Sequence, residues 1–306
     1  MLGPSALVLL ATLGAPPSTA GAARPPWFEY DRSASLALRV RPAVRHGGVE
    51  VVQVSFAGRR TKERVNALLV PPAGPGPHPA VLYVHWLGVP ATSNSTEFLD
   101  EAVGLARFGV VSLLVDAAWS APDWLPRSRF EDDFELSVRQ VVELRRALDV
   151  LLSQPGVDPE RLALVGHDFG AMYGVLAGAA DPRIRAYVLL AGAPTFHEWF
   201  LLRKKKPKDL AAYLKRMEAL DVTRWIGRLA PAPVLLQFAR EDEYVPLPRA
   251  QALIDAASQP KLVRFYDTDH AMQSTDTVGE RFRWLARELE LPEAPSPSAA
   301  DAGTPP

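Results

Sequence analysis

The stretch Leu162-Ala163-Leu164-Val165-Gly166-His167-Asp168-Phe169-Gly170-Ala171 decides the fold. Four apolar residues run into Gly-x-Asp-x-Gly, and small residues follow that can begin a helix. The pattern predicts a buried strand, a sharp turn and a helix, because glycine permits backbone shapes and close approaches that a Cβ blocks. The side chain lifted at the tip of the turn is an acid, Asp168.

Working outward, residues 80–84, 110–115, 161–165, 184–190, 234–238 and 262–266 are predominantly apolar runs, the signature of parallel strands buried on both faces. Upstream of the Pro- and Gly-rich turn at 71–77, residues 36–40, 49–54 and 65–70 alternate instead, as antiparallel strands with one solvated face do. Residues 134–152 place Phe134, Val138, Val141, Val142, Leu148 and Leu152 at helical spacing, and Pro155-Gly156 stops them. A second helix is expected over 171–179, closed by Asp181-Pro182. Alternating strands and helices predict an α/β fold: a doubly wound, mostly parallel sheet with antiparallel N-terminal strands, binding ligands at the strands' carboxyl ends. Residues 194–230, with Trp199, Phe200, Leu201, Tyr213 and Met217, are expected to form a short helical lid insert that shapes a pocket.

The 306 residues predict one main core, and a formal charge of −1 with 48% hydrophobic residues gives no pull towards nucleic acid or acidic lipid. Arg203-Lys204-Lys205-Lys206-Pro207-Lys208 is the one basic cluster, read as a solvated surface. Without cysteine there is no disulfide and no thiolate metal site. Residues 1–22 resemble a secretory signal peptide, with an apolar run at 6–13 and Ala20-Gly21-Ala22, although no Lys or Arg precedes the run. That predicts a secreted or periplasmic protein with no membrane span in its mature form, since the run is too short to cross a bilayer. Residues 292–306 read as a disordered tail, which leaves 23–291 as the folded domain. Metal motifs, phosphate loops and the G-x-G-x-x-G fingerprint are lacking, so no cofactor is expected and the partner is a small-molecule substrate.

Over residues 49–291 the chain resembles the α/β-hydrolase superfamily, with a dienelactone-hydrolase-like layout. Three features carry the likeness: the loop Val84-His85-Trp86-Leu87-Gly88, the elbow around Asp168, and the late pair Asp242 and His270. The family's chain order is nucleophile, acid, histidine. The resemblance therefore implies Asp168 as catalytic nucleophile, Asp242 as the acid in a D-x-x-V-P segment, and His270 as the base. It implies an oxyanion hole from the backbone N–H groups of Phe169 and Leu87, with Trp86 and Trp199 in the substrate pocket. Trp86 stands where the family has glycine, and tryptophan resists backbone shapes that glycine allows. His85 and His167 are read as packing or hydrogen-bonding residues.

An aspartate needs no base to be ionised at neutral pH unless burial raises its pKa strongly. Gly-His-Asp-Phe-Gly is similar to the elbow of epoxide hydrolases and haloalkane dehalogenases, whose carboxylate attacks a carbon to form an alkyl-enzyme ester. His270, oriented by Asp242, would then activate the water that hydrolyses it. The dienelactone-hydrolase branch carries cysteine or serine at this point, and the two cap tyrosines of epoxide hydrolases are reduced to Tyr213 within 194–230. Two other functions stay open: an esterase-type hydrolase with Asp168 as a non-covalent base, and a catalytically silent binding protein. The sequence does not choose among epoxide, halide, ester and lactone substrates.

Overall fold

The computed structural model describes residues 26–59, 63–88, 94–124, 128–203 and 205–292. The leader at 1–22, nearly all of the tail at 292–306, and Lys204 of the basic cluster lie outside them.

Strands β1 (Arg39–Val40), β2 (Val44–His46), β3 (Val49–Ala57) and β4 (Arg64–Val70) pair antiparallel at one end of the sheet. Strands β5 (His78–Val84), β6 (Val111–Val115), β7 (Val157–His167), β8 (Ala186–Leu190), β9 (Val234–Ala239) and β10 (Lys261–Tyr266) run parallel to one another. The order is β1-β3-β4-β6-β5-β7-β8-β9-β10, with β2 beside β3. The strand expected over 36–40 shrinks to β1 because Ala37 takes a left-handed backbone (φ 44), which breaks an extended run.

Helices pack on both faces. Along β5 the side chains alternate: Ala80, Leu82 and Val84 enter one core, while Val81 and Tyr83 enter the other. The first core is closed by α2 (Asp133–Leu152), α3 (Phe169–Ala180) and α6 (Leu247–Ala256), and the second by α1 (Leu99–Ala106) and α7 (Thr275–Glu288). Both faces are thus covered, which is why the inner parallel strands are largely apolar, with Ser112 and Gln237 the buried polar exceptions in β6 and β9.

The insert forms α4 (Phe196–Phe200), α5 (Leu210–Met217) and three short 3-10 turns ending at Leu229. Its Phe196, Phe200, Leu220, Val222 and Trp225 are buried in the same core as α3. The insert is therefore seated on the sheet's covering layer and brings Trp199 towards the carboxyl ends of the strands. Among the described residues no helix is long and apolar enough to cross a membrane.

Candidate active site

The elbow forms where β7 meets α3. A Cβ on Gly170 would collide with the Val84 carbonyl, and one on Gly166 would collide with the backbone of Gly170 and Ala171. Only glycines let the start of α3 sit this close to β5 and β7. Between them Asp168 is held at φ 51, ψ −112, a conformation that L residues rarely adopt and that clusters at functional sites. Its own N–H donates to the Leu190 carbonyl at 2.8 Å, and its carbonyl accepts from Met172 at 2.9 Å, so the backbone is anchored on both sides.

The Asp168 side chain is fully buried. Its Oδ2 accepts the Leu87 N–H at 3.1 Å, while Oδ1 has no hydrogen-bond partner. Burial pushes this carboxyl up to about 7, against the pull of His270 and the backbone N–H groups of Leu87 and Phe169, with the Asp242 charge adding to the rise. Both N–H groups named from the sequence thus bear on the carboxylate itself. Trp86 does not take a left-handed backbone, so the loop reaches this position without the glycine the family uses.

His270 and Asp242 come from the loops after β10 and β9. His270 Nδ1 lies 2.8 Å from Asp242 Oδ2 and 3.0 Å from Oδ1. Asp242 Oδ1 also accepts the N–H groups of Tyr244 and Val245, both at 2.8 Å, a turn that aims the carboxylate at the histidine. Burial alone would raise Asp242, but the hydrogen bond and charge of His270 and these two N–H groups hold it below the ordinary carboxylate range. No hydrogen bond joins His270 to Asp168; the two are coupled through charge, and Oδ1 stays unpaired.

Aromatic rings wall the histidine. Tyr244, Trp86 and Trp199 have ring centroids 4.9, 5.5 and 6.3 Å from that of His270, and Trp199 stacks on Tyr244 at 5.8 Å. Trp199 also meets Phe169 edge-on at 5.6 Å. His85 accepts the Ala117 N–H at 3.1 Å and has its pKa lowered by burial, in line with a packing and hydrogen-bonding role.

Glu97 also enters this region, and sequence reasoning missed it: its carboxylate contacts both the Trp86 N–H and the His167 ring. The polar run Asn94-Ser95-Thr96-Glu97 contains nothing that points 70 residues ahead to the elbow. Among the described residues no group of three or more His, Asp or Glu side chains could hold a metal ion.

No family model matches the chain. It is 27% identical over 243 residues to the esterase FrsA of Salmonella schwarzengrund (strain CVM19633), an alignment covering 71% of this chain and 56% of that protein. The chain thus spans little more than half the length of the curated relatives it matches. Among solved structures, the acetyl xylan esterase 1 of Thermoanaerobacterium sp. JW/SL YS485 superposes with a TM-score of 0.69 at 17% identity, covering 87% of this chain and 92% of that one. An acetyl xylan esterase from Paenibacillus sp. R4 gives 0.68 at 18% identity, covering 82% and 89%. At this level of identity the likeness establishes a shared fold.

Proposed function

We propose that this chain, which has the α/β-hydrolase fold, is a hydrolase acting through Asp168, His270 and Asp242. One observation carries the reading: the buried elbow carboxylate has one oxygen held by the Leu87 N–H and the other without a hydrogen-bond partner. In the first half-reaction Oδ1 attacks an electrophilic substrate carbon. The bond from that carbon to the leaving group breaks, the electron pair departs with the leaving group, and an ester forms on Asp168. In the second, His270 takes a proton from water and the resulting hydroxide attacks Cγ. Charge then develops on Oδ2, where the N–H groups of Leu87 and Phe169 stabilise it. Collapse breaks the Cγ–Oδ1 bond, and the proton on His270 passes to the departing alkoxide. Asp242 keeps His270 oriented and favours its cationic form.

The site walls favour a small, neutral, apolar substrate, since Trp86, Trp199 and Tyr244 surround the base. The test is mass spectrometry of the His270→Gln variant with epoxides and haloalkanes. An alkyl adduct on Asp168 should accumulate; turnover by the wild type without any adduct in the variant contradicts the covalent step.

A second reading rests on the raised Asp168 carboxyl and on the esterase names of the relatives. An acid poised near 7 suits a general base at neutral pH. Asp168 would then deprotonate a water that attacks an acyl carbon, with no bond to the protein. Hydrolysis of p-nitrophenyl acetate without any Asp168 adduct supports this alternative.

A further inference from the structure

Two buried side chains outside the proposed triad tie its three loops together. His167 ends β7, directly before Asp168, and is 1% exposed. Its Nδ1 lies 2.6 Å from Glu97 Oε1, and its Nε2 lies 2.9 Å from the main-chain carbonyl of His270. The other carboxylate oxygen, Glu97 Oε2, accepts the Trp86 N–H at 2.8 Å, on the residue before Leu87. The Trp86 ring stacks on His167 with centroids 5.3 Å apart and planes 5° from parallel. A continuous path therefore runs from the oxyanion loop through Glu97 and His167 to the base loop, passing beside the elbow.

A main-chain carbonyl can only accept a hydrogen bond, and a carboxylate that also serves the Trp86 N–H acts as an acceptor at both oxygens. With Glu97 ionised, both nitrogens of His167 donate, and the ring is then an imidazolium. We infer that His167 and Glu97 form a buried ion pair that holds the Leu87 loop and the His270 loop in register with Asp168. They are positioning residues, acting through Leu87 and His270. The kinetic part of this inference rests on the proposed hydrolase reading; the ion pair itself does not.

The charged and titratable groups facing His167 are Glu97 from the loop before α1, His85 from the end of β5, Asp168 at the elbow, and His270 with Asp242 behind it. Of these, Glu97 is the charged side chain in direct hydrogen-bond contact with the ring. Losing the second ring proton frees either Glu97 or the His270 carbonyl, and the loops lose their shared anchor.

The experiment uses the full chain with 15N-labelled histidine and ring 15N–1H spectra, His167 being assigned by its absence in His167→Gln. In the wild type at pH 7 both ring nitrogens of His167 should carry protons. In Glu97→Gln the doubly protonated ring should be lost at pH 7, and Glu97→Asp should restore part of it. With any substrate the wild type turns over, Glu97→Gln should lower kcat about tenfold with KM held within about twofold. A singly protonated His167 in the wild type overturns the ion pair, and this reading needs neither a variant nor a substrate. A folded Glu97→Gln protein with unchanged kcat, or with its loss confined to KM, overturns the positioning role. A protein with no measurable turnover but an intact imidazolium refutes the hydrolase reading and leaves the ion pair standing.

Discussion

Helix α3 has a buried aspartate at each end, and the two are treated in opposite ways. Asp181 at its C-terminus is fully buried but receives Arg145 and Arg32 at 3.2 Å and Arg183 at 2.7 and 2.8 Å. Burial would raise it, yet the hydrogen bonds and charges of Arg183, with Arg145 and Arg32, hold it below the usual range. Asp168 at the N-terminus is equally buried, has one backbone donor in hydrogen-bond contact and one empty oxygen, and is pushed up to about 7. The helix dipole would favour an anion at the N-terminus and oppose one at the C-terminus by ~1 kcal/mol. The order observed is the reverse, so partners and desolvation outweigh the dipole. A saturated carboxylate staples the N-terminal segment and α2 to the fold, whereas a starved one has the unpaired oxygen that the proposed chemistry needs.

That contrast can be broken at either end of the helix. The largest expected effect is on activity: Asp168→Asn keeps the shape but removes the proposed nucleophile or base, and should cut turnover by at least ~10³-fold in initial-rate assays. At the other end, Asp181→Ala strands three arginines, of which Arg145 is itself fully buried, and should cost roughly 3–5 kcal/mol in urea unfolding. A loss under ~1 kcal/mol would show that Asp181 is not the staple.

Stability should respond to Asp168 with the opposite sign. Its folded pKa is raised above the unfolded value, so the native state binds the extra proton between about pH 4 and 7, and stability falls as pH climbs through that window. Asp168→Asn lacks this slope. It should therefore exceed the wild type by roughly 1–3 kcal/mol at pH 8, a rise of several degrees in Tm, with the gap closing towards pH 4. Equal stability at pH 8 would contradict the desolvated-carboxylate picture. The smallest effect is kinetic: kcat/KM should climb about tenfold between pH 6 and its plateau, with a midpoint near 7, because either role of Asp168 needs the ionised form.

The same contrast explains what was legible in the sequence. The parallel strands could be read directly, because burial on both faces leaves runs such as residues 80–84 and 234–238 almost wholly apolar, with the buried Gln237 the exception in the second. The elbow was equally plain, since its glycines answer to close backbone contacts that no other residue tolerates. β2 was not, being three exposed residues, and α7 is so charged that its buried Trp284 and Leu285 make a thin stripe. Asp181 was seen only as a helix stop beside Pro182, because its arginines come from residues 32, 145 and 183 and meet only in the folded chain. Glu97 was invisible for the same reason. The raised pKa of Asp168 likewise depends on burial, which a five-residue motif does not encode.

The central claim is that Oδ1 of Asp168 is a nucleophile and Oδ2 the site of the later oxyanion. A single turnover in H₂¹⁸O, with wild-type enzyme in excess over an epoxide or haloalkane, tests it most directly. If water attacks Cγ, the Asp168 peptide gains one ¹⁸O and the product alcohol carries the unlabelled carboxylate oxygen. Label found in the product alone, with Asp168 unlabelled, would contradict the covalent route and place the water on the substrate instead.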